Sequence, residues 1–189
     1  MNDPGLRRKL LIDTMTELES RGMGCMGCEG TCCTYQSNSM MVTPLEALEL
    51  LSYLKKSGSL DEDLKAKCSE TVSRYRLDHE SGNGRRSFVR KTYTCPFFGF
   101  KELGCPLPRE VKPYGCLAFN AHHETIKASD HCYSDLEIQK QREAEFAWED
   151  ELNLKLKEKY QIFWNKSPLP TALLDLWERE INDEDLSRR

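Results

Sequence analysis

Apolar positions recur at helical spacing along five stretches of the chain, separated by runs rich in glycine, proline and cysteine. In residues 4 to 20, Leu11, Met15 and Leu18 fall at i, i+4 and i+7. That spacing predicts a short amphipathic helix with Arg7, Arg8, Asp13 and Glu19 on its wet side, ended by Gly22 and Gly24. Met40, Met41 and Val42 suit a short strand. Thr43-Pro44-Leu45-Glu46 then opens a helix: threonine caps it, proline is pre-set for the first helical position, and glutamate stands three residues past the cap. Leu48, Leu50, Leu51 and Leu54 supply its buried stripe, and Gly58 ends it.

Ser59 is the expected cap of a third helix, with Asp61, Glu62 and Asp63 near its positive end. Its apolar face runs through Leu64, Cys68, Val72 or Thr71, and Tyr75, so Cys68 reads as a small buried residue and His79 as a solvated one. Ser81-Gly82-Asn83-Gly84 marks a turn, and the alternation over 87 to 93 predicts a strand leading to Cys95. From Ser134, whose spacing to Glu137 is that of a capping box, a helix is expected to about Trp164. Leu136, Phe146, Leu152, Leu156, Tyr160 and Phe163 would face the body, leaving a long charged face that is solvated or open to a protein partner. Ser167-Pro168-Leu169-Pro170 interrupts the pattern. A last helix carries Leu173 or Leu174, Trp177 and Ile181, and Asn182 to Arg189 reads as a frayed polar tail.

The expected fold is therefore mainly α: a single compact helical domain over 1–189, with irregular cysteine-rich loops and at most a few short strands. Residues 25–132 form its cysteine-cluster core and residues 134–181 its C-terminal helices.

Composition narrows the function. With 39% hydrophobic and 31% charged residues the chain suits one sizeable core, and no stretch has the length and apolarity of a membrane span. A net charge of −4 argues against general nucleic-acid binding, which needs a basic face. Arg85, Arg86, Arg90 and Lys91 form a local basic run, read as a charged outer face or a docking site for an acidic partner. Nine cysteines, an odd number with no secretory leader before them, point to a reducing, cytoplasmic setting in which clustered thiols are metal ligands and not disulfides. Gly-rich phosphate loops, the dinucleotide fingerprint and the nucleophile elbow are all missing from the sequence.

The chemistry concentrates in two cysteine groups. Cys25-Met-Gly-Cys28-Glu-Gly-Thr-Cys32-Cys33 packs four thiols into one loop, where the Cys-x-x-Cys turn lets two sulfurs face one ion. On an extended backbone Cys32 and Cys33 would point to opposite sides, so one of them is expected to join Cys25 and Cys28 while the other turns away. The second group is Cys95, Cys105, Cys116 and Cys132. Cys95 and Cys105 each precede a proline that stiffens the loop, and Lys112-Pro113-Tyr114-Gly115-Cys116 follows the same logic. Phe97, Phe98, Phe100, Tyr114 and Phe119 would form an apolar shell around these thiols. One divalent ion with four thiolates carries net charge −2, which Arg21, Lys101, Arg109 or Lys112 would offset if folded nearby. Eight cysteines suffice for two four-coordinate ions, so His122, His123 and His131 are reserve donors, His131 foremost because it adjoins Cys132.

Taken together, Cys-x-x-Cys-x-x-x-Cys-Cys, a Cys-Pro-Phe segment, a further Cys, a basic-Pro-x-x-Cys segment and a late Cys resemble the cysteine-cluster family described as zinc- or iron-chelating proteins, the YkgJ family. The likeness covers roughly residues 25 to 132. It implies a metal role for Cys25, Cys28, Cys32, Cys33, Cys95, Cys105, Cys116 and Cys132, with zinc or iron as the occupant. This chain departs from the family's Arg-Pro-x-x-Cys-Arg, having Lys112 before Pro113 and Leu117 after Cys116. The family is similar in its cysteine motif to flagellin lysine methylases. The expected function is metal chelation with a structural or bound centre, the alternatives being an iron–sulfur protein with redox or enzymatic work and a protein-modifying enzyme.

Overall fold

The computed structural model describes residues 3–22, 30–79, 91–99, 105–121 and 132–187. They form a mainly helical body with two small antiparallel strand pairs. Helix α1 spans Pro4–Ser20, capped by Asp3, whose Oδ1 accepts the Gly5 N–H at 2.9 Å. Strand β1 is Met41–Val42, and helix α2, Pro44–Lys56, follows with the expected capping box between Thr43 and Glu46. Helix α3 is Glu62–Tyr75. Its cap is Asp61 and not Ser59: Asp61 Oδ1 accepts the Leu64 N–H at 2.8 Å, satisfying one of the orphan amides of the first turn. Helix α4, Tyr114–Leu117, is one turn, followed by β2, Phe119–Ala121, and β3, Cys132–Ser134, which pair with each other.

The long helix expected from Ser134 is two helices, α5 over Leu136–Glu145 and α6 over Glu149–Tyr160. The break lets α5 lie on α1 while α6 crosses to α2. Asp135 and not Ser134 caps α5, its carboxylate accepting the Glu137 and Ile138 N–H groups at 3.1 Å. Leu136 and Phe163, assigned to the body by their spacing, are exposed. Strand β4, Ser167–Pro168, pairs with β1, and helix α7, Leu169–Leu176, starts inside the proline-rich stretch because Pro170 tolerates the first turn. The tail is docked: α8, Asp183–Ser187, is held by Ser52 and Tyr160, whose hydroxyls donate to Asp183 at 2.5 Å and Asp185 at 2.9 Å, while Leu186 is buried.

Helix α2 is the axis of the fold. Leu45, Leu48, Leu50, Leu51 and Leu54 pack against Leu64 and Cys68 of α3, Leu152 and Leu156 of α6, and Leu169, Leu173 and Leu176 of α7. Thr71, not Val72, completes the buried face of α3. The strand predicted over 87 to 93 lies mostly outside the described residues, and residues 91 to 93 are not strand. Tyr93 is instead a buried tie whose hydroxyl donates to Met40 O at 2.6 Å and accepts from Leu169 N at 3.2 Å. Among the described residues no helix is long and apolar enough to cross a membrane.

Arg7 and Arg8 overturn the wet side expected for α1: they are 1% and 0% exposed. They stand four and three residues before Leu11, on the same helical face, so the stripe through Leu11 and Met15 continues onto them. What permits their burial is pairing with acidic residues of two other helices. Arg8 Nη1 lies 2.9 Å from Glu49 Oε2, Arg7 contacts Glu49, and Arg7 Nε lies 3.2 Å from Glu149 Oε1. Arg142 of α5, assigned to a solvated face, also pairs with Glu149 and donates from Nε to Arg7 O at 3.0 Å.

Candidate metal centre

Cys25 and Cys28 lie outside the described residues, as do His122, His123, His131, Phe100 and Lys101. Cys132 heads β3, opposite Ala121, and its side chain is likewise not described. The other five predicted ligands arrive from four separate segments. Cys32 and Cys33 sit in a short 3-10 turn, Thr31–Cys33, closed by Cys33 N–H donating to Gly30 O at 2.7 Å. The turn follows from Gly30, whose φ of +71° suits glycine and whose Cα faces the Phe98 ring so closely that a Cβ would lie 2.1 Å from Cε2.

This local geometry corrects the expected divergence of Cys32 and Cys33. Extended backbone alternates side chains by half a turn, whereas three residues per turn separates neighbours by about 120°. The smaller angle keeps the two sulfurs within reach of each other, 3.9 Å apart.

The second group is joined to the first through the main chain: the Cys95 N–H donates to Cys33 O at 2.7 Å. Pro96 follows, and the chain turns so that Phe98 N–H reaches Cys95 O at 3.0 Å, while the Phe97 N–H favours the Cys95 thiolate. Cys105 stands in its own proline loop, and Cys116 on α4. These thiols share the wall of one cavity of about 860 Å3, together with Phe98, Lys112 and Tyr114. Phe97 and Phe98 are buried, as expected of an apolar shell.

Electrostatics bring out how near the thiols are to one another. Burial pushes the Cys95 thiol up to about 12, and negative charge on Cys105, Cys68 or Cys32 opposes its ionisation further. Cys116 is raised well above its ordinary value by burial, then by Cys95, Cys105 and Cys32. Cys32 is raised chiefly by its hydrogen bond with Cys33, then by burial. The thiols of Cys32, Cys95 and Cys116 are therefore neutral at ordinary pH unless a cation joins them. Lys112 acts in the opposite direction on Cys32 and Cys116, favouring their thiolates. Of the four cations weighed for this role, Arg109 is paired with Glu19 and Arg21 with Glu17, leaving Lys112 as the described residue that faces the thiols.

The donor set fits zinc or iron in chemistry: soft sulfurs, backbone N–H support at Cys95 and an apolar surround. Two sulfurs each about 2.3 Å from one tetrahedral zinc ion lie about 3.8 Å apart, close to the Cys32–Cys33 separation of 3.9 Å. Among the described residues, however, no three His, Cys, Asp or Glu side chains are drawn together tightly enough to cage an ion as they stand. The thiols form a shared wall and not a closed tetrahedron. No family model matches this chain, and no curated protein or solved structure matches it either.

Four neighbours of the site escaped the sequence reading. Cys68 is buried in the core as expected, yet it also lies within electrostatic range of Cys95, behind the thiol wall. Glu46, Arg142 and Glu149 line the same cavity. The signal that could have found the two carboxylates was the α1 stripe, since two arginines on a buried face demand buried carboxylates elsewhere.

Proposed function

We propose that this chain is a metal-binding protein that holds zinc or iron through cysteines of both groups, in the reducing setting of the cytoplasm. The observation that carries this reading is the convergence of Cys32, Cys33, Cys95, Cys105 and Cys116 on one cavity wall from four separate segments. All five are free thiols. Neutral, partly buried thiols gain little from such crowding, whereas a dication turns each of them into a ligand and removes their mutual opposition. The same cysteine order underlies the resemblance to the zinc- or iron-chelating family, in which Cys25, Cys28 and Cys132 complete the set.

A second reading has one observation in its favour. The cavity of about 860 Å3 exceeds what one ion needs, and so has room for an iron–sulfur cluster or for a small molecule beside the metal. The test is elemental analysis with a visible absorption spectrum on protein purified without oxygen or added metal. Colourless protein with stoichiometric zinc supports the chelating reading. Brown protein with iron and acid-labile sulfide supports the cluster. Protein without bound zinc or iron, and unable to take them up, contradicts both.

A further inference from the structure

Six charged side chains, Arg7, Arg8, Arg142, Glu46, Glu49 and Glu149, are each no more than 6% exposed. Taking charges out of water costs several kcal/mol per ion even after pairing, and well-packed apolar residues often serve stability as well or better. Their placement has a more specific consequence. The chain from Lys112 to Cys116 is gripped by this cluster at three polar points, Lys112 O, the Tyr114 N–H and the Tyr114 hydroxyl.

Arg8 Nε donates to Lys112 O at 2.7 Å. Pro113 has no N–H to satisfy, and the Tyr114 N–H, an orphan donor at the start of α4, donates to Glu46 Oε1 at 2.8 Å. The Tyr114 hydroxyl donates to Glu149 Oε1 at 2.9 Å. The guanidinium carbons of Arg142 and Arg8 lie 3.4 and 4.7 Å from the centre of its ring. Gly115 then passes so close to Met40 that a Cβ would lie 2.9 Å from Cε. The anchors come from four helices, α1, α2, α5 and α6, and Cys116 is the next residue.

We infer that this buried charge cluster, acting through the main chain at Lys112 and the Tyr114 side chain, positions the Cys116 thiol against Cys32, Cys95 and Cys105. Its purpose rests on the proposed metal reading, but the positioning itself is measurable without it. In this role Arg8 and Tyr114 touch no ligand; they set where one donor stands. A guanidinium is required at position 8, because it alone reaches Lys112 O, Pro4 O and Glu49 together.

The test uses the full chain as purified, under reductant and without oxygen. Alkylation by iodoacetamide is followed thiol by thiol by mass spectrometry, in the unmodified protein and in Tyr114→Phe and Arg8→Lys. Tyr114→Phe keeps the ring and loses one hydrogen bond; Arg8→Lys keeps the charge and loses the fork. Each variant is expected to speed alkylation of Cys116 about tenfold or more relative to Cys95 and Cys68, the scale set by losing one buried hydrogen bond to a charged group. Unchanged Cys116 in both variants, or equal acceleration of all three thiols, overturns the inference. Cobalt(II) titration separates this from the metal reading. If the unmodified protein takes up cobalt, both variants lose intensity in the thiolate-to-cobalt band while keeping their helical circular dichroism. No cobalt uptake after resident metal has been removed with a chelator, together with selective exposure of Cys116, refutes the metal reading and leaves the positioning standing.

Discussion

Helix α2 serves two regions that are held together by different physics. Its leucines face apolar side chains of α3, α6 and α7, where stability comes mainly from area removed from water. Glu46 and Glu49 face α1 and α4, where buried carboxylates meet arginines and the thiol wall begins. Salt, redox state and metal act little on the apolar contacts of the first region, although Cys95 and Cys105 of the thiol wall pack against its edge. The second depends on charge balance, since each buried ion is tolerated only while its partner is present. A mutation on one side of α2 should therefore read out differently from one on the other, and the expected effects can be ordered.

The largest loss is expected from Glu49→Ala, which strips Arg7 and Arg8 of a shared carboxylate and should cost about 3–5 kcal/mol by urea unfolding. Adding the charge-neutralising pair Arg7→Met and Arg8→Leu to that variant should recover part of the loss, because apolar replacements carry no uncompensated ion. Leu50→Ala, one residue along, leaves a cavity in the core and should cost about 2–5 kcal/mol. Here the discriminating measurement is metal content of the folded protein, expected to stay intact in Leu50→Ala and to fall in Glu49→Ala. Equal metal loss in both would merge the two regions into one.

Gly30→Ala strikes the thiol side directly. Its positive φ and the Phe98 ring leave no room for a methyl group, so the Cys32–Cys33 turn should shift at a cost of about 1–3 kcal/mol, with metal binding weakened first. Unaltered metal affinity in this variant would show that the turn is not part of the centre.

The two regions also differ in how much of each was visible in the amino-acid order. The α2 capping box, its leucine stripe and the end of the helix near Gly58 all follow from local spacing, and the structure repeats them. Burial of Cys68 followed for the same reason. The thiol side was harder because its geometry is non-local. Whether Cys32 and Cys33 diverge depends on a 3-10 turn that Phe98, far along the chain, enforces through Gly30. Arg7, Arg8 and Arg142 look like surface residues one at a time; only when α1, α2, α5 and α6 are together do Glu49 and Glu149 make their burial affordable. The docked tail has the same explanation, since Ser52 and Tyr160 are what hold α8.

The effect that needs the most extreme conditions concerns pH. Burial raises the Cys68 thiol from its ordinary 9.0 to about 12. Between those values the unfolded chain releases this proton and the fold retains it. Its contribution is therefore full below pH 9 and is lost as pH rises toward 12, by about 1.4 kcal/mol per pH unit. Cys68→Ala should flatten the alkaline fall in stability by one proton's share, measured as urea midpoints at successive pH values above 9. A dication bound at the thiol wall should ease ionisation of Cys68 and so shrink that share, because Cys68 lies within electrostatic range of Cys95. An unchanged share with metal bound would separate Cys68 from the wall.

The most direct measurement of the central claim is metal content per chain in Cys32→Ser and Cys116→Ser, each purified without oxygen and compared with the unmodified protein. One thiol comes from the first cysteine group and the other from the second, and both line the same cavity. If the two groups share a centre, each single substitution abolishes binding of the same ion. If each variant instead retains part of the metal, and the double variant loses the sum, the groups hold separate ions and the shared centre is contradicted.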